Sequence, residues 1–271
     1  MGMIKVAIAG IRGKMGQTAL EAITETPGME VVAAYDYKHD GQFFVDGEVV
    51  AERSAAAVPM FSDLQELVEQ TEPTLFFDVT RPNVVFSNVT KAIEQGLHIV
   101  VGTSGLTESS IAQIRSQAEE KKVSVVIAPN FSIGAVLMMK FSQMAARFLP
   151  DVEIIEMHHN NKVDAPSGTA VKTAQMIQEV RDPHTQGHPN ETEELQGARG
   201  ADIDGMKIHS VRLHGLLAHQ QVLFGSAGEL LTIRHDSFDR ASFKQGIVLA
   251  TQHASTSDDF VYGLEQLLKD E

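Results

Sequence analysis

The chain has 271 residues, with 22 basic and 36 acidic side chains, a net charge of −14 and no cysteine. At roughly 150 residues per domain this is about two domains, long enough to bury sizeable cores without staples. The missing cysteines exclude disulfides, thiolate zinc sites, iron–sulfur ligation and cysteine nucleophiles, and the acidity, spread along the whole chain, argues against nucleic acid and anionic membranes as partners.

In chain order, Lys5-Val6-Ala7-Ile8-Ala9 is an apolar, β-branched run that reads as a buried parallel strand. It is too short for a secretion signal or a membrane span, so a soluble, cytoplasmic protein is expected. Residues 15–26 place Met15, Ala19, Ala22 and Ile23 at helical spacing, and Pro27-Gly28 stops that helix. Strands are predicted at 31–35, 75–79, 98–101 and 123–128, with helices around 64–69, 84–95 and 107–121 between them. Residues 37–60 interrupt the rhythm with Gly41, Gly47 and Pro59 and read as a loop or small insertion. The alternation implies an α/β domain, a mainly parallel Rossmann-type sheet with helices on both faces.

After Asn130 the pattern changes. An apolar helix is predicted at 135–148, its Met and Phe residues reading as core or subunit interface. A strand at 151–157, a helix at 166–180 and a polar loop at 181–204 follow. Strands at 207–213, 220–224 and 229–235 come next, the last two joined as a hairpin by Gly225-Ser226-Ala227-Gly228. Strands without intervening helices imply a second, smaller α+β domain with a mixed sheet. Helices at 242–253 and 261–268 close the chain.

The first strand runs into Gly10-Ile11-Arg12-Gly13-Lys14-Met15-Gly16 and then a helix. A strand, a Gly-rich turn and a helix N-terminus suit a pyrophosphate, since free amides and the helix dipole favour an anion there. Asp36 ends the second strand about twenty residues later, where a carboxylate accepts a ribose 2′-hydroxyl. Asp36 favours NAD over NADP, while Arg12 and Lys38 offset its repulsion of a 2′-phosphate, so NADH and NADPH both stand. Gly102-Thr103-Ser104 and Ala128-Pro129-Asn130-Phe131 follow later strands, on the face where open α/β sheets bind ligands. The alternative is an ordinary βα turn whose glycines serve packing alone.

The densest chemistry lies at His158, His159, Lys162, Asp164, Pro166, Ser167, Gly168 and Thr169. Pro166 suits the first turn of a helix, and free amides at Ser167, Gly168 and Thr169 would then meet an anion. Two histidines and a lysine beside such a helix start can bind an acidic substrate and protonate it during a reduction. Zinc is disfavoured, because the His pair and Asp164 lack ordinary ligand spacing and no cysteine helps.

The string from Glu153 to Ala170, with His-His and then Lys-Val-Asp-Ala-Pro-Ser-Gly-Thr-Ala, resembles the signature of the 4-hydroxy-tetrahydrodipicolinate reductase family, also called dihydrodipicolinate reductases. The resemblance extends over nearly the whole chain, through residues 6–10, 102–104, 128–131 and 235–240. It implies a dinucleotide-binding domain of residues 1–130 and 240–271, and a substrate and tetramerisation domain of residues 131–239, hinging closed over the ligands. His158 matches the family's proton donor/acceptor and Lys162 its second proton donor. His159, Gly168 and Thr169 match contacts to a small dicarboxylate substrate, and Ser167 stands among them. The turn Gly10, Ile11, Arg12, Gly13, Lys14 and Met15, with Asp36, Gly102, Thr103, Ser104, Ala128, Pro129, Asn130 and Phe131, matches cofactor contacts. Two departures are Tyr37, where members favouring NADP often carry Arg, and Ser104, where Thr is common. The implied partners are NADH or NADPH, the dicarboxylate and three further copies in a homotetramer, with no metal. Read on architecture alone, the alternatives are another oxidoreductase acting on a sugar or amino acid, or a non-catalytic NAD-sensing protein.

Overall fold

The apolar run at the start forms β1 (Ile4–Ala9), whose last four residues are buried. It carries α1 (Lys14–Thr24) and then β2 (Met29–Tyr35). A computed structural model describes residues 2–268, and the chain divides into two compact units, one running to Ile133 and resuming at Phe243, the other spanning Gly134–Ser242.

In the first unit β1 pairs in parallel with β2 on one side and with β6 (Leu75–Asp78) on the other. A strand buried on both faces needs apolar residues throughout, which is why β1 and β6 do not alternate. Between β2 and β6 lie β3 (Phe43–Val45), β4 (Glu48–Val50), β5 (Val58–Phe61) and α2 (Leu64–Thr71). Of the two readings of residues 37–60, a loop or a small insertion, the structure shows the insertion. Phe44 and Met60 are almost fully buried, and Asp46-Gly47, both at positive φ, turn β3 back onto β4 as a hairpin. After β6, the alternation continues through α3 (Val85–Glu94), β7 (His98–Val101), α4 (Glu108–Lys121) and β8 (Val125–Ile127). Thr107 caps α4 by accepting from the Ser110 amide.

The second unit takes up α5 (Ile133–Ala146), β9 (Asp151–His158) and α6 (Gly168–Gln178). Then come β10 (Ala201–Ile203), β11 (Met206–Arg212), β12 (Ala218–Ser226) and β13 (Glu229–Ser237). They form a five-stranded mixed sheet in the order β10-β11-β9-β12-β13, with β11 parallel to β9 and the other pairs antiparallel. Ala170, Ala174 and Ile177 of α6 join Val152, Ile154, Ile208, Val222 and Phe224 in its core. The β12–β13 turn is tighter than expected, since Gly225 and Ser226 are still paired and Ala227-Gly228 alone connect the strands.

The chain then returns to the first unit through a 3-10 turn at Arg240–Phe243, α7 (Lys244–Thr256) and β14 (Phe260–Tyr262). The helix expected at 261–268 does not form. Phe260, Val261 and Tyr262 are aromatic or β-branched, and they pair in parallel with Val125–Ile127, followed by Gly263 at φ 97° and one 3-10 turn. β14 completes a nine-stranded sheet in the order β14-β8-β7-β6-β1-β2-β5-β3-β4. The order reverses on either side of β1, and its carboxyl end is where this architecture binds ligands.

Candidate functional site

In the first unit the turn after β1 is shaped by close backbone approach. Gly10 has φ 89°, and a Cβ there would lie 2.6 Å from the Val79 carbonyl oxygen. A Cβ on Gly16 would collide with the backbone of Gly10 and Ile11, so α1 starts hard against the turn. Gly13 is the N-cap of α1 and supplies no side-chain cap, which leaves the first helical amides to an outside acceptor. These residues fit a pyrophosphate. Arg12, Gly13 and Lys14 are exposed and Met15 is partly exposed, while Ile11 is fully buried, so Ile11 offers its backbone alone. Asp36 is nearly buried and accepts from Arg12 Nε (2.7 Å) and from the Lys38 amide (2.9 Å). A 2′-phosphate would therefore compete with Asp36 for Arg12, whereas a 2′-hydroxyl leaves the ion pair intact.

The loop after β7 is tied to the sheet by Asp78, a residue absent from the expected site. Asp78, fully buried at the end of β6, accepts from the Thr80 amide and hydroxyl (3.0 and 2.7 Å), Asn88 Nδ2 (2.9 Å) and Thr103 Oγ1 (2.8 Å). The signal for it was an acid closing the otherwise apolar Leu-Phe-Phe-Asp run. Gly102 lies under the Phe131 ring, which a Cβ would touch at 2.5 Å. Phe131 is buried and stacks on Phe77 with ring centres 5.6 Å apart, so its side chain supports the loop from within. Thr103 and Ala128 are also buried, whereas Ser104 and Pro129 are exposed and Asn130 partly so. The Asn130 side chain accepts from the Ser132 amide (2.8 Å).

In the second unit Glu156 and His158 are two apart on β9 and so share one face of the sheet. The parallel register sets Arg212 of β11 opposite His158. The Arg212 fork closes on Glu156 with two 2.8 Å bonds, the Ser167 amide adds a third at 3.1 Å, and His158 Nδ1 meets Glu156 Oε2 at 2.5 Å. Neither Glu156 nor Arg212 was among the expected site residues. Burial pushes the Glu156 carboxyl up, but the bonds from Arg212, Ser210 and His158 outweigh it and hold the group below the usual carboxylate range. Burial pushes the His158 imidazole down, and Lys162 and Arg212 add to this, against the opposing pull of Glu156.

Beyond His158 the chain turns at His159, which is partly exposed, and the Lys162 amide donates back to the His159 carbonyl (3.1 Å). The Lys162 ammonium sits on both Asp164 carboxylate oxygens at 2.7 Å, and this bond holds Asp164 below its ordinary range. The Ala165–Pro166 peptide is cis. Pro166 precedes α6 rather than opening it: Ser167 is the N-cap, its hydroxyl accepting from the Ala170 amide (3.2 Å). With its own amide on Glu156, Ser167 is buried and has no free donor to offer through its backbone, contrary to the sequence reading. Gly168 is the first helical residue, exposed, with open space where a Cβ would stand, and Thr169 is partly exposed beside it. The loop thus gathers an imidazole, an ammonium and a helix start, which together can bind a carboxylate and move a proton.

A doubly wound sheet with a glycine turn built for a pyrophosphate, in a chain that also carries this acid–base loop, defines a nicotinamide-dinucleotide-dependent oxidoreductase. Family models described as "Dihydrodipicolinate reductase, N-terminus" and "Dihydrodipicolinate reductase, C-terminus" match residues 4–131 and 134–268. The chain belongs to the dihydrodipicolinate reductase family. It is 52% identical over 265 residues to the 4-hydroxy-tetrahydrodipicolinate reductase of Bacillus cytotoxicus, covering 98% of each chain. Among solved structures, dipicolinate-bound dihydrodipicolinate reductase from Paenisporosarcina sp. TG-14 superposes with a TM-score of 0.87 at 49% identity, covering 98% of this chain and 100% of that one. D-galactose-1-dehydrogenase from Rhizobium etli shares the fold alone, with a TM-score of 0.57 at 15% identity over 97% of this chain and 98% of that one.

Proposed function

We propose that this protein reduces 4-hydroxy-tetrahydrodipicolinate to tetrahydrodipicolinate with NADH or NADPH, a step of lysine and diaminopimelate biosynthesis, and that His158 and Lys162 carry its proton and charge chemistry. The 4-hydroxyl leaves as water with a hydrogen from the neighbouring ring carbon, and one hydride and one proton then add across the double bond so formed. A nicotinamide held by the Gly10–Met15 turn and Asp36 would supply the hydride for C4. His158 gives the proton to the neighbouring ring carbon and takes another from solvent. Lys162 leaves Asp164 to neutralise a substrate carboxylate. Asp164 is well exposed, so water can take over its carboxylate when Lys162 turns to the substrate. His159, Gly168 and Thr169 complete the carboxylate contacts, and Ser167 acts by capping α6 so that the Gly168 amide, which has no acceptor inside the helix, points outward.

The observation that carries this reading is the convergence of His158, Lys162 and the α6 start within one loop of the second unit. The same reading takes residues 1–130 and 240–271 as the dinucleotide-binding domain, with Gly10 to Met15, Asp36, Gly102 to Ser104 and Ala128 to Phe131 as its cofactor contacts, and the protein as cytoplasmic and tetrameric. Exposed apolar side chains at Leu213, Leu230 and Leu231, and at Phe141, Met144 and Phe148, support assembly.

Dipicolinate, the planar dicarboxylate named in the solved relative, tests the carboxylate site without turnover. Calorimetric titration should give binding to the wild type and a loss of about tenfold or more in Lys162→Ala, the weight of one charge-assisted contact. Equal affinity in the two proteins would remove Lys162 from the substrate site.

A further inference from the structure

Of the three acids on β9, Glu156 alone is fully buried. A carboxylate withdrawn from water is costly unless its lone pairs are met. Here Oε1 accepts from Arg212 Nη2 and from the Ser167 amide, while Oε2 accepts from Arg212 Nη1 and faces His158 Nδ1. Arg212 already balances the charge, so Glu156 stays ionised whether or not His158 is protonated. An ionised carboxylate only accepts hydrogen bonds. The nitrogen that faces it must therefore carry a hydrogen.

We propose that Glu156, clamped by Arg212, is a positioning residue for this reaction: it holds His158 with Nδ1 protonated, so that Nε2 is the nitrogen that gives up and regains the proton. The inference rests on the reading of His158 as the proton-transfer group. In one turnover Nε2–H of the imidazolium passes its proton to the substrate ring carbon, the neutral imidazole keeps Nδ1–H on Glu156, and solvent returns a proton to Nε2. Glu156 remains a carboxylate throughout. Its place two residues before His158 fixes the ring's direction, and Arg212, which also donates to the Asp164 carbonyl (2.7 Å), joins the same hub to the loop that bears Lys162. The charged groups facing His158 are Glu156 on its own strand, Arg212 on β11 and Lys162 on the following loop. Glu156 is the one among them that favours the imidazolium.

Two measurements on the intact enzyme test this. In a long-range proton–nitrogen NMR spectrum of the wild type, with the His158 signals assigned by their absence in His158→Gln, neutral His158 should show Nδ1 protonated and Nε2 bare. An Nε2–H tautomer overturns the proposal, and this measurement needs no Glu156 variant to fold. Glu156→Gln keeps the shape and removes the charge. It should lower kcat at least tenfold and move the alkaline fall of the kcat profile to lower pH, because the imidazolium loses its favourable partner. A folded Glu156→Gln enzyme with wild-type kcat and pH profile overturns the proposal. Full turnover in His158→Gln would instead sink the assignment of His158 itself, a result the tautomer measurement cannot produce.

Discussion

His158 and Lys162 sit four residues apart, yet the structure holds them very differently. His158 is fixed by a buried carboxylate, whereas Lys162 is half-buried and rests on the exposed Asp164. Their variants should therefore fail in different ways. His158→Gln should lower kcat by about 10²–10⁴, the usual worth of a placed acid, with the dissociation constant of NADH unchanged. Lys162→Ala should raise KM for the substrate as well as lower kcat, because it removes a ground-state contact. Steady-state kinetics with fluorescence titration of NADH separates the two, and identical patterns would contradict the division of labour. The His-His-Lys string was legible in the sequence because its members are neighbours. Glu156 and Arg212 were not, since they are far apart in sequence and meet only through the parallel β9–β11 ladder.

The glycine turn after β1 shows the same logic in an element. Gly10 and Gly28 have almost the same backbone, φ 89° and 87°, but a Cβ on Gly10 meets the Val79 backbone while one on Gly28 meets nothing within 4 Å. Alanine at either position bears left-handed strain of about 1–2 kcal/mol. Gly10→Ala adds a backbone collision at the proposed pyrophosphate site. It should weaken NADH binding about tenfold or more and lower the melting temperature further than Gly28→Ala, which should bind NADH as the wild type does. Equal NADH affinity in the two variants would contradict the role given to the turn. Most of the alternating elements were legible from apolar runs bounded by glycine or proline. The failures were places where local pattern and tertiary pairing diverge. Residues 261–268 look amphipathic, but Phe260–Tyr262 find the open edge of β8 and become a strand. In residues 37–60, Gly41, Gly47 and Pro59 leave a loop and a small insertion equally open, and the Asp46-Gly47 hairpin decides for the insertion.

For the whole molecule, a net charge of −14 and two anionic ligands present an electrostatic conflict. On the proposed reading local devices answer it in each unit: the uncapped start of α1 with Arg12 nearby in the first, and Lys162 with the start of α6 in the second. Both act at contact distance, where solvent and salt attenuate an interaction least, while the acidic side chains spread over the surface are screened over longer distances. The family and the fold were legible because the signature string and the βαβ rhythm are continuous in sequence. The carboxylate hub and the hold of Asp78 on the Thr103 loop were not, because they are assembled from separate strands. The central claim is that this chain is a nicotinamide-dependent reductase of one dicarboxylate heterocycle. Its most direct test follows the oxidation of NADH and of NADPH with 4-hydroxy-tetrahydrodipicolinate generated in place from pyruvate and aspartate semialdehyde by the upstream synthase. The account predicts cofactor oxidation that depends on all components and falls by about 10²–10⁴ in His158→Gln. Absence of turnover with either cofactor, or turnover with a sugar or amino acid in place of the heterocycle, would contradict it.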